Sequence, residues 1–340
     1  MPAEWEKHSG TWISWPKDPN TFPADILPAV ERAYVRMVRA LIKGEEVHIL
    51  VNDSKAERRV RGMLGNSEAV FHLIRTVDVW VRDYGPTYVK GGKGAVVKWD
   101  FNAWGNKYDD LKPDSGAGEE IAARSGMTVV RPGIVLEGGS IDVNGAGTLL
   151  TTEQCLLNPN RNPGVGRSEL EEILGVNLGV SRVIWLGEGI EGDDTDGHVD
   201  DIARFVGPRE VVAAVEPDPS DTNHQALEEN LRRLENSADQ AGHQLRVLEI
   251  PMPPRMEALD GRLPASHLNF YVGNEAVLVP TFGGESDRLA MECLDEVFPK
   301  RDVIGIDCRA LVHGLGTLHC VTQQIPVVRY PPTCRLLPRP

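Results

Sequence analysis

The sequence predicts an α/β protein in which a unit of helix, strand and hairpin recurs about five times, as blades around a central axis. Amphipathic helical segments alternate with β-branched strand segments, and hairpin patterns lie between them. Polar residues suited to chemistry recur at separations of 54, 61, 71 and 51 residues, each near one-fifth of the 340-residue chain: Asp83, Glu137, His198, Asn269 and Cys320. The alternative is an ordinary α+β alternation with accidental spacing.

Helices and strands alternate along the chain in a consistent order. Apolar residues at helical spacing predict a first helix from Asp25 to Lys43, which Gly44 would end. Ser54 is the expected N-cap of a second helix that continues to about Leu64. Strands are predicted at Val47–Val51 and Val70–Ile74, and later helices near 116–125, 167–175, 222–236 and 285–297, each followed by a strand: Thr128–Val130, Arg182–Leu186, Gln244–Ile250 and Asp302–Ile306.

Pairs of strand-like runs separated by turn residues predict β-hairpins between these units. The paired runs are Pro86–Val89 with Ala95–Trp99, Ser140–Val143 with Thr148–Thr151, Ile202–Val206 with Val211–Val215, and Leu268–Val272 with Ala276–Val279. The sequence contains no linker. We therefore expect a single domain over residues 1–340, in which the Pro-rich tail after Tyr330 is a terminal extension.

Composition and charge narrow the class of protein. With 41% hydrophobic and 25% charged residues, the chain can build a full core. Neither a membrane-length apolar run nor the apolar run of a secretory signal occurs, so we expect a cytoplasmic protein. The formal net charge of −14 argues against nucleic acid or anionic membranes as partners and suits a small cationic substrate.

One of the five cysteines has surroundings that favour chemistry. Their number is odd and they form no CxxC pair, so we expect no disulfide framework. Cys320 lies in HGLGTLHCVTQQIP, where Gly314 and Gly316 open the approach to the thiol and His319 is adjacent. A thiol ionised by a nearby positive charge is a good nucleophile. The alternative is a buried cysteine that serves as a small apolar group.

The densest polar cluster is EGDDTDGHVDD, from Glu191 to Asp201. It could be a solvated acidic loop, but an apolar strand follows it at once. If His198 and Asp200 belong to that strand, their side chains point to the same side and face one pocket. The imidazole could then move a proton, and the carboxylate could hold either the imidazole or a substrate cation.

The spacing within this cluster does not fit a metal site. Aligned as a calcium loop, it would place Gly192 at the first position and Ala203 at the twelfth, where acids are needed. A structural or catalytic zinc ion needs three or four ligands, and His198 with Asp200 supplies two. We therefore predict neither a metal nor a cofactor.

Two further carboxylates precede predicted hairpins. WVRDYGPTYV contains Asp83 in a turn before a strand, with Trp80 three residues earlier; a structural ion pair with Arg82 is the alternative role. LEGGSIDVNG contains Glu137 before two glycines, which permit close approach of a ligand. A structural role for this carboxylate is equally open.

Together these residues favour attack on a planar cation. Carboxylates can grip a guanidinium group bidentately, a thiolate can attack its central carbon, and His198 can protonate the departing ammonia. A cysteine protease would need Cys320 and His198 but not several acids, which are costly to bury together unless a cation joins them. The sequence therefore predicts a guanidino-group hydrolase with Cys320 as its nucleophile.

At these residues the sequence resembles the agmatine deiminase family, which is grouped with bacterial-type peptidylarginine deiminases. The matching segments run from Met1 to about Pro326: MPAEWEKHSGTWISWP, WVRDYGPTYV, FNAWGNKY, EGGSIDVNGAGTLLTTEQCLLNPNRNP, DDTDGHVDDIARFV, SHLNFYVGN and LHCVTQQIP. The resemblance implies a five-bladed α/β propeller of the guanidine-modifying superfamily. It also implies hydrolysis of agmatine to N-carbamoylputrescine and ammonia through a covalent thiouronium, in polyamine biosynthesis, and a homodimer is a fair expectation.

The resemblance also implies roles for individual residues. Cys320 would be the nucleophile and His198 the general acid and base. Asp83 and Asp200 would hold the guanidinium nitrogens, and Glu137 would orient His198 or the substrate. Trp80 and Asp194 match positions that line the alkylamine side, and we include Gly316 among the substrate-binding residues.

Departures from the family pattern leave the substrate open. The family usually has a longer glycine run where this chain has HGLGT before its cysteine, and often an aromatic residue where His267 stands. The chain is also somewhat shorter than is typical. The alternatives are therefore a deiminase of peptidyl arginine, free arginine or another guanidino compound, a related amidinotransferase, or a non-catalytic polyamine-binding protein, although this chain keeps both Cys320 and His198.

Overall fold

The computed structural model describes residues 1–91, 94–259 and 261–328, and it confirms the α/β class. The proposed terminal extension after Tyr330 and Cys334 lie outside these residues. Cys155, Cys293, Cys308 and Cys320 are free thiols. Among the helices of the described residues, none combines the length and apolar character that a membrane crossing requires.

The α-helices of the described residues pack their apolar faces against sheets and against one another. The longest ones coincide with the predicted helical segments. Their bounds are α1 Leu27–Leu41, α2 Ser54–Leu64, α3 Val81–Tyr84, α4 Ala103–Asn106, α5 Asp114–Arg124, α6 Glu153–Leu156, α7 Arg167–Leu178, α8 His224–Glu235 and α9 Glu285–Val297.

Within the described ranges, five sheets share one connectivity. In each, a central strand pairs antiparallel with one neighbour and parallel with another that follows after a helix. A helical crossover is the connection that a parallel pair requires. All four predicted hairpins are present as antiparallel pairs, and the fifth pair joins the first strand to the last one described.

The strands of the described residues belong to the five mixed sheets and to one small hairpin. The first sheet contains β1 His8–Ser14, β2 Glu46–Val51, β3 Val70–Leu73 and β18 Thr322–Pro326. The second contains β4 Thr87–Val89, β5 Ala95–Val97 and β6 Thr128–Val130, and the third β7 Asp142–Val143, β8 Thr148–Thr152 and β9 Arg182–Leu186. The fourth contains β10 Ala203–Phe205, β11 Glu210–Val215 and β12 Arg246–Pro251, and the fifth β15 Tyr271–Val272, β16 Ala276–Thr281 and β17 Asp302–Asp307. A separate small hairpin pairs β13 Glu257–Ala258 with β14 Gly261–Arg262.

Two local predictions are wrong. The N-cap of α2 is Asp53, whose side chain accepts hydrogen bonds from the backbone N–H groups of Lys55 and Ala56, so Ser54 is the first helical residue. His198 and Asp200 do not belong to β10, because residues Val199–Asp201 form a short 3₁₀ turn before it. Two-residue strand spacing is therefore not the reason why these two side chains meet.

A buried arginine joins three of the sheets. Arg204 on β10 is 1% exposed, and its Nε donates to Asp142 Oδ2 on β7 at 2.6 Å. Its Nη1 donates to the carbonyl oxygens of Leu268 and Phe270 before β15, and its Nη2 donates to Glu4 Oε1 at 3.0 Å. Arg204 is the cation that pairs with Asp142, and it is one of the cationic groups that pair with Glu4.

We expect Arg204→Met to lower the free energy of unfolding by about 3–5 kcal/mol, because it leaves buried carboxylates without their cation. Urea denaturation followed by circular dichroism measures this. The control is Arg232→Met on α8, an arginine that is 58% exposed and pairs with Glu228 and Glu229, for which we expect about 1 kcal/mol or less. Equal losses in the two variants would contradict the central role of Arg204.

Candidate active site

The Cys320 thiol is held in place by two side chains, Asn269 and Asp200. Cys320 lies in the turn before β18 and is 7% exposed. Asn269 Nδ2 donates to its Sγ at 3.0 Å, and Asp200 Oδ2 lies 3.7 Å from the same sulfur. Asn269 Oδ1 accepts from Thr317 Oγ1 and from the backbone N–H groups of His319 and Cys320. The amide therefore fixes both the turn and the sulfur.

Gly316 lets the loop before the cysteine pass close to the thiol. A Cβ at this position would lie 2.6 Å from Trp80 Cζ3 and 3.2 Å from Cys320 Sγ. Any side chain would push one of these groups away. The structure thus places the predicted residues Gly316 and Trp80 in direct contact beside the Cys320 thiol.

Asp83 faces the same space from α3. Its Oδ1 accepts from the backbone N–H of Gly139 at 2.9 Å, and its Oδ2 accepts from Trp104 Nε1 at 3.0 Å. The alternative of an Arg82–Asp83 ion pair is wrong, because the Arg82 guanidinium instead donates to Glu4, Gln324 and the carbonyl oxygen of His319.

His198, Asp200 and Asp83 converge around Gly139. A Cβ on this glycine would lie 2.6 Å from His198 Nδ1 and 3.0 Å from a carboxylate oxygen of each aspartate. His198 Nδ1 is 3.9 Å from Asp83 Oδ1, and neither ring nitrogen has a hydrogen-bond partner within the described residues. A buried imidazole without partners is suited to exchange a proton with a bound molecule.

Glu137 stands behind His198. Its Oε1 accepts from Arg161 Nε at 2.9 Å, while its Oε2 has no partner among the described residues. Donor atoms of Glu137, Cys155 and His198 lie within 4.8 Å of one another, which is close enough for a metal ion. The adjacent Arg161 guanidinium opposes a second cation there, and the absence of a metal requirement stays a prediction.

The charges of the site set its protonation states. Burial raises the pKa of the Cys320 thiol well above its ordinary value, and the nearby Asp200, Asp201 and Asp83 raise it further. Burial lowers the pKa of His198, but the negative charges of Asp83 and Asp200 outweigh it, so that pKa lies well above its usual range. The unoccupied site therefore favours a neutral thiol and a protonated imidazole.

The pKa values of Asp83 and Asp200 are shifted in opposite directions. Burial raises the pKa of Asp83, and the positive charge of His198 offsets only part of this effect. Burial also acts to raise the pKa of Asp200, but the hydrogen bond and charge of His319 outweigh it, and the pKa of Asp200 is lowered. Asp200 is thus the carboxylate that the protein keeps ionised.

A cavity of about 190 Å³ leads to Cys320. Of the described residues that line it, none is Lys or Arg, five are aspartates and one is His313; the aspartates are Asp18, Asp78, Asp83, Asp110 and Asp194. Trp80, Trp104 and Tyr108 complete an aromatic wall. His198, Asp200 and Glu137, each at most 1% exposed, lie behind this lining. The cavity suits an elongated cation.

Asp194 lines the same cavity as Cys320. Its Oδ2 accepts from Tyr108 Oη at 2.6 Å, and burial raises its pKa to about 6. It is therefore ionised at neutral pH and can bind a second positive charge.

Of the two divergent positions, one lines the cavity. His313 and Gly314 belong to the lining, and the following Leu315 has a φ of +68°, in the region that favours glycine. The ring of His267 instead hydrogen-bonds the carbonyl oxygen of Pro280 and Ser286 Oγ. His267 therefore does not belong to the lining of this cavity.

The residues that meet here hold equivalent places in the five mixed sheets. Each lies a few residues before the outer strand that pairs antiparallel with the central strand of its sheet: Asp83 before β4, Glu137 before β7, His198 before β10, Asn269 before β15 and Cys320 before β18. The regular spacing in the sequence identified Asn269 but gave it no role. It did not identify Glu4, Arg161 or Trp104, whose partners are distant in sequence.

A thiol, an imidazole and paired carboxylates at the end of an acid-lined cavity define an enzyme that attacks a planar cation such as a guanidinium group. The comparison with protein families agrees, because the profile of the Porphyromonas-type peptidyl-arginine deiminases matches residues 1–326. The chain belongs to this family.

Relatives match along nearly the whole chain. The sequence is 38% identical over 351 residues to the agmatine deiminase of Ectopseudomonas mendocina, covering 96% of this chain and 95% of that protein. The solved agmatine deiminase of Enterococcus faecalis superposes with a TM-score of 0.88 at 32% identity, over 96% and 95% of the two chains. An amidinotransferase from Microseira wollei shares the fold, with a TM-score of 0.57 at 10% identity over 96% of each chain.

We expect the Cys320 thiol to react slowly with iodoacetamide at about pH 7, and its alkylation rate to rise beyond about pH 9, because its pKa is raised. Peptide mapping by mass spectrometry measures this rate, with half-buried Cys293 as an internal reference. Asp83→Asn should accelerate the reaction at fixed pH by removing one negative charge. Fast alkylation that does not change with pH would contradict the expectation.

Proposed function

We propose that this protein is an agmatine deiminase that hydrolyses agmatine to N-carbamoylputrescine and ammonia. The observation that carries the proposal is the acid-lined cavity, whose lining includes both the Cys320 thiol and the ionisable Asp194. Agmatine is a guanidinium and an ammonium joined by a butyl chain, so each of its charges would meet a carboxylate. The names of the relatives agree with this substrate.

The site residues would divide the reaction as follows. Asp83 and Asp200 hold the guanidinium nitrogens, and the Cys320 thiolate attacks the central carbon. One C–N bond then breaks, and protonated His198 gives its proton to the leaving ammonia. A water molecule, deprotonated by His198, attacks the thiouronium carbon. The C–S bond breaks, and the urea product and the thiolate are released.

The bound cation would also activate the nucleophile. Negative charges keep the Cys320 thiol protonated in the unoccupied site. A guanidinium between the carboxylates neutralises them and lowers the thiol pKa, because an opposite charge nearby favours the ionised form. The thiol would therefore lose its proton to solvent when the substrate is in place, while His198 keeps its own proton for the leaving ammonia.

The cavity lining argues against free arginine. Its α-carboxylate would face aspartates, whereas the lining within the described residues contains no Lys or Arg to receive it. Glu137, with one oxygen on Arg161 and the other unpartnered, would orient His198. Trp80 and Gly316 would flank the alkyl chain next to the thiol.

We further propose that the five mixed sheets are the blades of a propeller in a single domain over residues 1–340. The support is the convergence of one polar residue from before each antiparallel pair on one site. A cytoplasmic homodimer without a metal or cofactor, acting in polyamine biosynthesis, completes the proposal.

We expect purified protein to release ammonia and a ureido product from agmatine without added metal, and Cys320→Ser to abolish turnover while still binding agmatine. Parallel assays with free arginine and an arginine-containing peptide test the alternatives. Turnover of the arginine compounds alone would overturn agmatine as the substrate but keep the chemistry. A folded protein that is inactive on all three would overturn the proposal for these substrates.

We expect Asp194→Asn to raise the KM for agmatine roughly 10- to 100-fold with a smaller change in kcat, because a charged contact is lost. In the unmodified protein KM should rise as pH falls below about 6, since Asp194 is then protonated and no longer attracts the ammonium. Steady-state kinetics across pH measure both effects. Asp110→Asn, an exposed aspartate of the same cavity, is the control and should change KM less.

A further inference from the structure

We propose that His319 is a positioning residue, which together with Glu4 holds Asp200 ionised and oriented toward the guanidinium group of the substrate. The inference rests on the proposed function, because that function gives Asp200 its contact with the substrate. The family resemblance gave neither His319 nor Glu4 a role.

The His319 ring lies between two carboxylates. Its Nδ1 is 2.6 Å from Asp200 Oδ2, and its Nε2 is 2.8 Å from Glu4 Oε2. Both residues beside it are buried, and His319 itself is 2% exposed. An ionised carboxylate only accepts hydrogen bonds, so a ring that bonds both must donate from both nitrogens. The geometry therefore points to an imidazolium, and charged hydrogen bonds of this length are strong.

Glu4 is fixed from several sides. Its Oε1 accepts from the backbone N–H of Val272 at 2.9 Å and from Arg204 Nη2 at 3.0 Å. Its Oε2 accepts from Arg82 Nη2 at 3.3 Å in addition to His319. Burial acts to raise the pKa of Glu4, but Arg204, His319 and Arg82 outweigh it, so that pKa lies well below its usual range. A permanently charged, immobile carboxylate thus anchors the far side of the imidazolium.

This arrangement leaves one oxygen of Asp200 available. Its Oδ2 carries the bond to His319 and lies near Asn269 Nδ2 and Cys320 Sγ. Its Oδ1 is buried and has no partner among the described residues. Without a cation on Oδ2, a fully buried carboxylate beside Asp83 and Asp201 would take up a proton and could no longer bind a guanidinium well. His319 removes that tendency and fixes the direction of Oδ1.

The charged groups around this pair define the test. Glu4, Arg82 and Asp200 face His319; Arg204, His198, Asp83, Asp201 and the Cys320 thiol also act on Asp200. Titrations of other groups, such as Asp194, affect every variant alike. They cancel in the ratio of the variant's kcat/KM to that of the unmodified protein at each pH. The pH dependence of this ratio therefore reports on Asp200.

We expect His319→Gln to lower kcat/KM for agmatine, with a ratio that falls at least about threefold further between pH 8.5 and pH 6, because burial without the neighbouring imidazolium raises the pKa of Asp200 into this pH range. His319→Asn, whose amide can replace Nδ1 as a neutral donor, should show a smaller pH dependence. A purely structural role would lower activity by the same factor at every pH. A flat ratio for His319→Gln would overturn the proposal.

The matched control is His8→Gln. His8 is also 2% exposed and contacts the same segment, because its Nε2 bonds the carbonyl oxygen of Glu4, but its Nδ1 faces Glu45 instead of Asp200. We expect a ratio for His8→Gln that does not change with pH. A fall like that of His319→Gln would mean that loosening of the N-terminal segment causes the effect, and would overturn the proposal.

A measurement without substrate separates this inference from the proposed function. In protein labelled with ¹⁵N-histidine, we expect both ring N–H groups of His319 at neutral pH, identified by their loss in His319→Asn. A neutral ring with one N–H would overturn the support for Asp200 even if agmatine is turned over. An imidazolium in a protein without deiminase activity would overturn only the proposed function.

Discussion

The carboxylate of Glu4 is hydrogen-bonded to groups from several parts of the fold. It accepts hydrogen bonds from β15, from Arg204 on β10, from Arg82 on α3 and from His319 in the turn before β18. These groups are buried, so each charge is tolerable only because the others compensate it. The same contacts therefore position the strands and the residues in front of them, and the active site inherits its geometry from this cluster.

In the active site next to this cluster, several buried polar atoms are not hydrogen-bonded. Glu137 Oε2, Asp200 Oδ1 and both ring nitrogens of His198 have no hydrogen-bond partner within the described residues. Unsatisfied buried polar atoms are costly, and a planar cation with several N–H donors would satisfy the carboxylates among them. A guanidinium group that binds here therefore makes hydrogen bonds that these buried carboxylates lack in the folded protein alone.

Local patterns in the sequence predicted much of this fold. Apolar spacing located α1, α5, α7, α8 and α9, and turn residues located the four hairpins, because both signals are set by neighbours in the chain. The prediction failed where two local candidates competed, as when Asp53 caps α2 in place of Ser54. It also gave the wrong reason for the meeting of His198 and Asp200, which a 3₁₀ turn brings about.

The site was predicted less completely than the fold. Cys320, His198 and the acids were identifiable because their types and spacing suit one reaction. The partners of these residues were not, since His319 and Glu4 are 315 residues apart in sequence and Glu137 meets Arg161 through a separate loop. Such pairings depend on how the sheets pack, and no local pattern encodes them. The regular spacing of Asn269 was the only signal that pointed beyond its own segment.

The pairing of β1 with β18 has a consequence for the order in which a ribosome makes the chain. Glu4 and β1 emerge before His319, Cys320 and β18, which follow more than 300 residues later. Until then β1 lacks its antiparallel neighbour, and Glu4 lacks its hydrogen bond with His319. Synthesis must therefore reach Cys320 before β1 can pair with β18, so a partly made chain would not yet hold the Cys320 thiol next to Asn269 and Asp200.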